Sequence, residues 1–143
     1  MSIGGSRYAL PMSSVDEVGR PPAITRVPGL PAWVTGVANW RGRVLAILDL
    51  RSLLGGTGND LDRRSRLVVL SHAGARVGLL VQTVSGGAVP DTDAVEPVLA
   101  NLPDSAGQLL IGQVTDAQGP YGVLDLDAVL ALAQQLPRAR RAG

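Results

Sequence analysis

Residues 36–54, GVANWRGRVLAILDLRSLL, predict a β-hairpin at the centre of this chain. We expect strands at Gly36–Trp40 and Arg43–Leu48. They are joined at Arg41-Gly42, where the glycine gives the backbone the freedom that a tight turn needs. Side chains that suit recognition rather than catalysis crowd this end of the hairpin: Asn39, Trp40, Arg41 and Arg43.

The second strand of this hairpin is followed by a predicted helix cap. The Asp49 carboxylate is placed to accept hydrogen bonds from the amides that open a short helical turn at Leu50–Leu54. Gly55-Gly56 would end that turn. The unit therefore consists of a strand, a turn, a second strand and a capped helical turn.

Composition limits the possible functions. The 143 residues suit one compact domain, residues 1–143, and charged residues make up only 17% of the chain. A net charge of +1 argues against nucleic acid and anionic membranes as partners. The absence of cysteine excludes disulfides, iron–sulfur clusters and thiolate zinc sites and is consistent with a reducing cytoplasm. No apolar run approaches the roughly 20 residues of a membrane helix, so we expect a soluble protein.

Short strands and turns fill most of the remaining chain. Pro31–Thr35 is predicted to form one helical turn, because proline is favoured at the first helical position. Residues 91–104 are expected to be mostly irregular. Alternation and turn residues predict strands at Arg7–Leu10 and Val15–Val18, a hairpin of Leu67–Leu70 with Arg76–Gln82, and a hairpin of Leu109–Thr115 with Tyr121–Leu126.

The C-terminal segment is predicted to be helical. Val129, Leu132, Ala133 and Leu136 recur at helical spacing and form one apolar stripe, and Pro137 stops the helix. Asp125 precedes it as a candidate cap.

An internal repeat supports a fold of two similar halves. Residues 47–54 match residues 123–130 with four identities and two aliphatic exchanges, and both hairpins begin at a glycine, Gly36 and Gly112, at the same offset (112 − 36 = 76). Short strands with glycine and proline turns favour small barrels over a layered α/β sheet.

Catalytic patterns are absent from the sequence. The single histidine, His72, falls in a predicted exposed turn and has no cysteine or second histidine with which to bind a metal. No serine lies in a G-x-S-x-G elbow, and Gly55–Gly58 lacks the lysine of a phosphate-binding loop. We therefore predict no enzymatic activity, no metal and no cofactor.

Arg41 is the leading candidate for a binding residue. Its guanidinium can direct several hydrogen bonds to a partner, or it can hold the turn by pairing with a nearby carboxylate, and the sequence favours neither. Glu17 is either a recognition charge between Val15 and Val18 or an ordinary solvated strand residue.

The order of motifs along the chain resembles the CheW-like family, the chemotaxis coupling proteins. The resemblance rests on Tyr8, Val15–Val18, the P-x-x-V-x-G-V-x-N-x-R-G pattern at 31–42, the strand ending in Asp49-Leu50-Arg51, Val77–Val81, and Gly112 with Leu124-Asp125-Leu126. These six motifs in order span almost the whole chain.

The resemblance implies two five-stranded SH3-like barrels that share a core, with strands exchanging near residue 60, and a short C-terminal helix. It also implies a cytoplasmic, non-enzymatic adaptor recruited to chemoreceptor arrays, where it joins a CheA-type histidine kinase to receptor tips. By this analogy the receptor-contacting residues are Val15, Glu17, Asn39 and Arg41. The structural glycines would be Gly36, Gly42, Gly78 and Gly112.

The chain departs from the family pattern at two points. Only six residues precede Arg7-Tyr8 where relatives have a further apolar strand, so we expect a first barrel that is one strand short and self-associates or pairs with a partner through its open edge. Trp40 replaces the usual leucine and would enlarge the recognition hairpin. A second function that fits the resemblance is a module that binds a kinase or response regulator without receptors.

Overall fold

The computed structural model describes residues 1–3, 6–31, 33–51, 53–54, 63–84 and 109–134, and these form a mainly β fold. A 3-10 turn lies at Met12–Ser14. The described strands are β1 (Ser2–Ile3), β2 (Ser6–Ala9), β3 (Val15–Gly19), β4 (Val34–Trp40), β5 (Arg43–Leu48), β6 (Arg66–His72), β7 (Ala75–Val81), β8 (Leu110–Asp116) and β9 (Gly119–Leu124), and helix α1 spans Leu126–Gln134.

The described strands form two sheets, one built from the two ends of the chain and the other from its middle. The four-stranded sheet, in the order β1-β2-β9-β8, joins the N-terminal strands to the C-terminal hairpin. The five-stranded sheet, in the order β3-β6-β7-β5-β4, comes entirely from the residues between them. The predicted exchange of strands near residue 60 stays a prediction, because residues 55–62 lie outside the described residues.

The central hairpin forms where the sequence predicts it. β4 and β5 are antiparallel, with Asn39 opposite Val44 and Trp40 opposite Arg43. Both turn residues have positive φ, 52° at Arg41 and 80° at Gly42. Such a turn matches the twist of the flanking strands and explains the glycine.

The repeat in the sequence is a repeat in the structure. The β4–β5 register, Val34↔Leu48 and then Gly36↔Ile47 across a bulge, recurs in β8–β9 as Leu110↔Leu124 and then Gly112↔Val123. The next residue in each unit also has an equivalent bond: the Asp49 N–H donates to Trp33 O over 2.9 Å, and the Asp125 N–H donates to Leu109 O over 2.8 Å. Each repeat is therefore a bulged hairpin whose second strand ends at an aspartate.

These two aspartates accept hydrogen bonds from the backbone that follows them. Asp49 Oδ1 accepts from the Arg51 N–H at 3.1 Å. Asp125 Oδ1 accepts from the Asp127 N–H at 3.1 Å and from the Ala128 N–H at 3.4 Å, at the start of α1. In the described residues after Asp49, one turn follows, in which the Leu54 N–H donates to Leu50 O over 2.9 Å.

The core consists of two clusters. The larger combines residues of both sheets with α1, including Leu48, Leu79, Leu124 and Val129. The smaller lies within the five-stranded sheet and contains Ala38, Leu45, Ile47, Leu67, Val69 and Leu80. Both sheets therefore share one core, and the five-stranded sheet also encloses its own.

Close packing accounts for two of the predicted structural glycines. A Cβ on Gly36 would overlap the carbonyl oxygen of Thr25, which exchanges backbone hydrogen bonds with Val37. A Cβ on Gly78 would lie 2.8 Å from Ile47 Cδ1. Gly112 is buried at the bulge of β8.

The turn expected at Pro31–Thr35 is shorter than predicted. The Val34 N–H donates to Pro31 O over 3.0 Å, which closes a turn that begins at the proline, but β4 already begins at Val34. Val34 and Thr35 belong to the strand because pairing Val34 with Leu48 buries the valine in the shared core. Tertiary contacts thus end the turn earlier than the local sequence suggests.

The strand expected to be missing before Tyr8 is present in a short form. Ser2–Ile3 pairs with β2, and Ile3 is buried in the shared core. The Ser2 N–H also donates to Thr83 O over 3.0 Å, so β1 bridges the two sheets. A two-residue strand is too short to show an alternating pattern, which is why the sequence did not indicate it.

Some predictions fall outside the described residues. These are the glycines that would end the first helical turn, the irregular segment at 91–104, and Leu136 and Pro137 at the predicted end of the C-terminal helix.

Candidate interaction site

A bulge in β3 places the predicted binding residues on two different faces. Val15 lies opposite Leu70 and Glu17 lies opposite Val69, with a register shift between them. Directly opposed residues of an antiparallel pair face the same side. Val15 therefore faces the shared core with Leu70, whereas Glu17 faces the inner cluster of the five-stranded sheet with Val69.

Glu17, Trp40 and Arg41 form one hydrogen-bonded group, which we call the β3–β4 latch. Arg41 Nε lies 2.8 Å from both carboxylate oxygens of Glu17, and Arg41 Nη2 also pairs with Glu17 Oε1. Trp40 Nε1 donates to Glu17 Oε2 over 3.0 Å. The guanidinium carbon of Arg41 lies 5.8 Å from the Trp40 ring centroid, within cation–π range.

The latch closes the five-stranded sheet into a barrel. β3 and β4 are the two edges of that sheet, so a contact between them joins its ends. The Trp40 ring covers Gly19 at the end of β3, where a Cβ would lie 2.7 Å from the ring. The tryptophan that departs from the family pattern thus packs across the open side of the barrel.

The donors of the latch hold Glu17 in its charged form. Hydrogen bonds from Arg41 and Trp40 lower the pKa of Glu17 from 4.5 to about 2. The same carboxylate raises the pKa of Arg41. The Arg41 side chain nevertheless stays 72% exposed, against 28% for Glu17, so the Arg41 side chain is the more accessible half of this ion pair.

Asn39 supports the turn beside the latch. Its Oδ1 accepts a hydrogen bond from the Gly42 N–H over 3.0 Å. The side chain therefore has a structural contact, although the residue is exposed.

On the other face of β3, Val15 and Val18 line a groove between the two sheets. The groove has a volume of about 580 Å³. Met12 and Val18 are 74% and 42% exposed, unusual values for large apolar side chains. The groove residues are Met1, Arg7, Tyr8, Ala9, Leu10, Met12, Val15, Val18, Val68, Val84, Asp116, Gln118 and Tyr121.

The sequence analysis missed Met12 and Val18 as site residues. Val18 shares the groove with Val15 only because the bulge offsets the alternation of β3 by one residue. Nothing in the sequence marks that bulge.

Val44 is a second exposed apolar residue that the analysis missed. It is 74% exposed, lies opposite Asn39 on the central hairpin, and is outside the groove. The sequence could have indicated this exposure, because strand alternation places Val44 on the face opposite the inward-facing Leu45 and Ile47.

His72 was expected in an exposed turn, and this was wrong. The turn is Ala73-Gly74, and His72 ends β6, where its Nε2 lies 2.7 Å from Asp127 Oδ1 on α1. The histidine therefore links the five-stranded sheet to the helix. Among the described residues no group of three or more histidine, cysteine, aspartate or glutamate side chains is arranged to hold a metal.

Fold and site together define a twin-sheet, SH3-like β protein with a partly apolar groove between the sheets. The family model of the CheW-like domain matches residues 1–134, and the chain belongs to this family. Its structure is similar to the scaffolding protein TtCheW from Thermoanaerobacter tengcongensis, with a TM-score of 0.78 and 23% identity over 87% of this chain and 80% of that one.

Similar proteins come from chemotaxis and related systems. FrzA of Myxococcus xanthus is 31% identical over 96% of this chain and 87% of FrzA. PilI of Pseudomonas aeruginosa is 42% identical over 59% of this chain, and the chemotaxis protein CheW of Helicobacter pylori is 31% identical over 72%. The matched segments span only 47% of PilI and 62% of the Helicobacter protein, less than two thirds of either.

The chain is thus a CheW-like domain in sequence and in fold. Within the described part of the chain, no helix is long and apolar enough to cross a membrane.

Proposed function

We propose that this protein is a chemotaxis adaptor that couples the cytoplasmic tips of chemoreceptors to a CheA-type histidine kinase. Receptor state would then control autophosphorylation of the kinase through a scaffold that performs no chemistry itself. The observation that carries this proposal is the groove between the sheets, which brings Val15 together with the exposed apolar side chains of Met12 and Val18.

The groove suits the receptor side of the complex. Its exposed apolar residues, Met12 and Val18, supply area to bury. The exposed guanidinium of Arg41 lies outside the groove lining and would supply directed hydrogen bonds from the other face of β3. An interface of this kind takes affinity from the apolar contacts and register from the charges. Val15, Glu17, Asn39 and Arg41 remain the proposed receptor-contacting residues. Glu17 and Asn39 would act largely by holding Arg41 and the turn in place.

The kinase needs a surface separate from the groove. Val44 is exposed, apolar and outside the groove lining, so we assign the kinase contact to the hairpin at Val44. Because Val44 lies directly opposite Asn39, the kinase contact would border the receptor contact at the hairpin, and the groove itself would stay open to the receptor.

Reconstitution tests the coupling role. Purified protein is added to a CheA-type kinase and receptor fragments encoded near it, and autophosphorylation and ternary-complex formation are measured. We expect a stable ternary complex and receptor-dependent kinase activity. Unchanged autophosphorylation without a ternary complex would exclude the proposal.

Substitution of Arg41 tests the receptor surface. Arg41→Gln should weaken binding to the receptor tip by about tenfold while kinase binding persists, since arginine is enriched among the residues that dominate binding energy. Arg43→Gln is the matched control, because it removes a second exposed arginine from the same hairpin that is not part of the Arg41–Glu17 pair. Val44→Asp should show the opposite pattern, with kinase binding lost and receptor binding retained.

The alternative is a module that binds a kinase or response regulator without receptors. It predicts that Arg41→Gln leaves every measurable interaction intact and that the wild-type protein does not bind receptor tips.

A further inference from the structure

Arg7 on β2 is the centre of a polar cluster at the rim of the groove. Its Nη2 donates to Asp116 Oδ1 over 2.9 Å and to the backbone oxygen of Gly119 over 2.7 Å. Its Nη1 donates to Asp116 Oδ2 over 3.2 Å and to Gln118 Oε1 over 3.3 Å. The guanidinium carbon lies 5.4 Å from the Tyr121 ring centroid. One side chain thus contacts both strands and the turn of the β8–β9 hairpin.

This cluster joins segments that the backbone ladder does not hold together. β2 and β9 pair only at Tyr8↔Gly122 and Ala9↔Val123. The hairpin end at Asp116–Gly119 lies beyond these pairs, and its contact to β2 runs through the Arg7 side chain. The bidentate pair is geometrically specific, since a guanidinium and a carboxylate fix both distance and orientation. Consistent with this geometry, the contact raises the pKa of Arg7 and lowers that of Asp116.

The same residues form one wall of the groove. Arg7, Asp116, Gln118 and Tyr121 line it together with apolar residues that include Val15 and Val18. A displacement of the hairpin end would therefore change the shape of the groove. If the hairpin end were free to move, it would have to be fixed when a partner binds, and the lost conformational entropy would lower the affinity.

We propose that Arg7 is a positioning residue for the groove: it fixes the β8–β9 hairpin end against β2 and so pre-organises the groove for a receptor tip. That the groove binds a receptor tip rests on the proposed function. That Arg7 fixes the hairpin end does not depend on it. Arg7 itself acts through the hairpin end, because most of its donors are already used within the protein.

The test compares Arg7→Met with Arg76→Met. Methionine keeps an apolar stem of similar reach but removes the charge and the donors. Arg76 pairs with Asp16 on β3 over 3.1 Å, is exposed to a similar extent, and lies outside the groove lining, so its substitution removes an equivalent surface pair elsewhere. Unfolding in urea confirms that each variant is folded before it is compared.

Amide hydrogen exchange, followed by NMR, measures how firmly the β8–β9 hairpin end is held in the absence of any partner. The Gln118 N–H donates to Asp116 Oδ1 over 2.8 Å and reports directly on the hairpin end. In Arg7→Met we expect faster exchange at Gln118 and Gly119, with exchange at the β4–β5 turn unchanged. Arg76→Met should leave all of these rates as in wild type. Unchanged exchange in Arg7→Met would overturn the positioning role.

Binding to a soluble coiled-coil fragment carrying a receptor tip measures the consequence. Arg7→Met should raise the Kd by about tenfold through pre-organisation alone, with kinase binding unchanged. The exchanged pair Arg7→Asp with Asp116→Arg should recover much of the affinity, because it restores the contact with reversed polarity. A Kd for Arg7→Met equal to that of the wild type would show that the position of the hairpin end does not affect binding of the receptor fragment. A wild-type protein that does not bind the fragment would refute the receptor assignment, and the exchange rates would still decide the positioning.

Discussion

The hairpins β4–β5 and β8–β9 share one backbone plan, but their ends are held by opposite arrangements of charge. In the first, Arg41 on the turn reaches Glu17 on β3, the opposite edge strand of the same sheet. In the second, Asp116 at the end of the hairpin receives Arg7 from a neighbouring strand. Both ends are tied by a guanidinium–carboxylate pair between residues distant in sequence.

This difference shows that the backbone geometry of the two hairpins and the polar contacts at their ends are set by different residues. The shared register, bulge and terminal aspartate depend on backbone geometry and on small or aliphatic residues, so they recur. The polar contacts at the turns depend on what lies beside each hairpin. The first closes a barrel and leaves the Arg41 side chain exposed, whereas the second ties together residues that line the groove. The same backbone unit thus ends in two different polar contacts.

The largest expected effect tests whether the two hairpins share one core. Leu48 and Leu124 occupy equivalent positions and are fully buried in the same cluster. Leu48→Ala and Leu124→Ala should each lower the free energy of unfolding by about 2–5 kcal/mol, through lost burial and a residual cavity. Urea unfolding followed by circular dichroism should show a single transition in both. Two separate transitions would mean that the sheets unfold independently.

A smaller effect should distinguish the first hairpin through its packing. Gly36→Ala places a methyl group against the Thr25 carbonyl and should cost about 1–3 kcal/mol, as overpacking usually does. Gly42→Ala on the same hairpin is the control, since open space surrounds it and only its positive φ opposes the substitution, at about 1 kcal/mol. Thermal and urea unfolding measure both, and equal losses would contradict a packing role for Gly36.

The smallest effect concerns the charge pairs and their response to acid. The folded-state pKa of Glu17, about 2, lies below its ordinary value of 4.5. The stabilisation from this group is therefore fully present above pH 4.5 and is lost as the pH falls toward 2. In Arg41→Met the pKa of Glu17 should rise, and the dependence of stability on pH in this window should weaken.

Carboxyl chemical shifts followed by NMR during a pH titration would measure this change. Arg7→Met serves as the comparison and should leave the titration of Glu17 unaltered, because its partner is Asp116. If Glu17 titrated near 4.5 in the wild-type protein, the latch would not form in solution.

The sequence predicted the hairpins well because their signals are local. The Arg41-Gly42 turn, the strand periodicity around it and the aspartates after β5 and β9 each depend on a few adjacent residues. Comparison of residues 47–54 with 123–130 also indicated the repeat without any structure. For the same reason, the family pattern was recognisable from short motifs in order.

The candidate site was less predictable because it depends on residues far apart in the chain. The sequence named Glu17 and Arg41 separately, and the fold joined them in one latch with Trp40. The bulge that turns Val15 and Val18 toward the groove has no sequence signal, and the short β1 strand is too brief to show one. The start of β4 at Val34, within the predicted helical turn, was decided by burial of Val34 in the shared core.

The sequence by itself therefore determined the class of fold, the repeated hairpin and the lack of recognisable catalytic motifs, because these follow from local periodicity, turn chemistry and residue type. Only the tertiary structure decided which charges pair, which face each strand residue occupies and where the groove lies. Each of these depends on strand register, and register is fixed by the burial of residues such as Leu48 and Leu124 in a core to which both ends of the chain contribute.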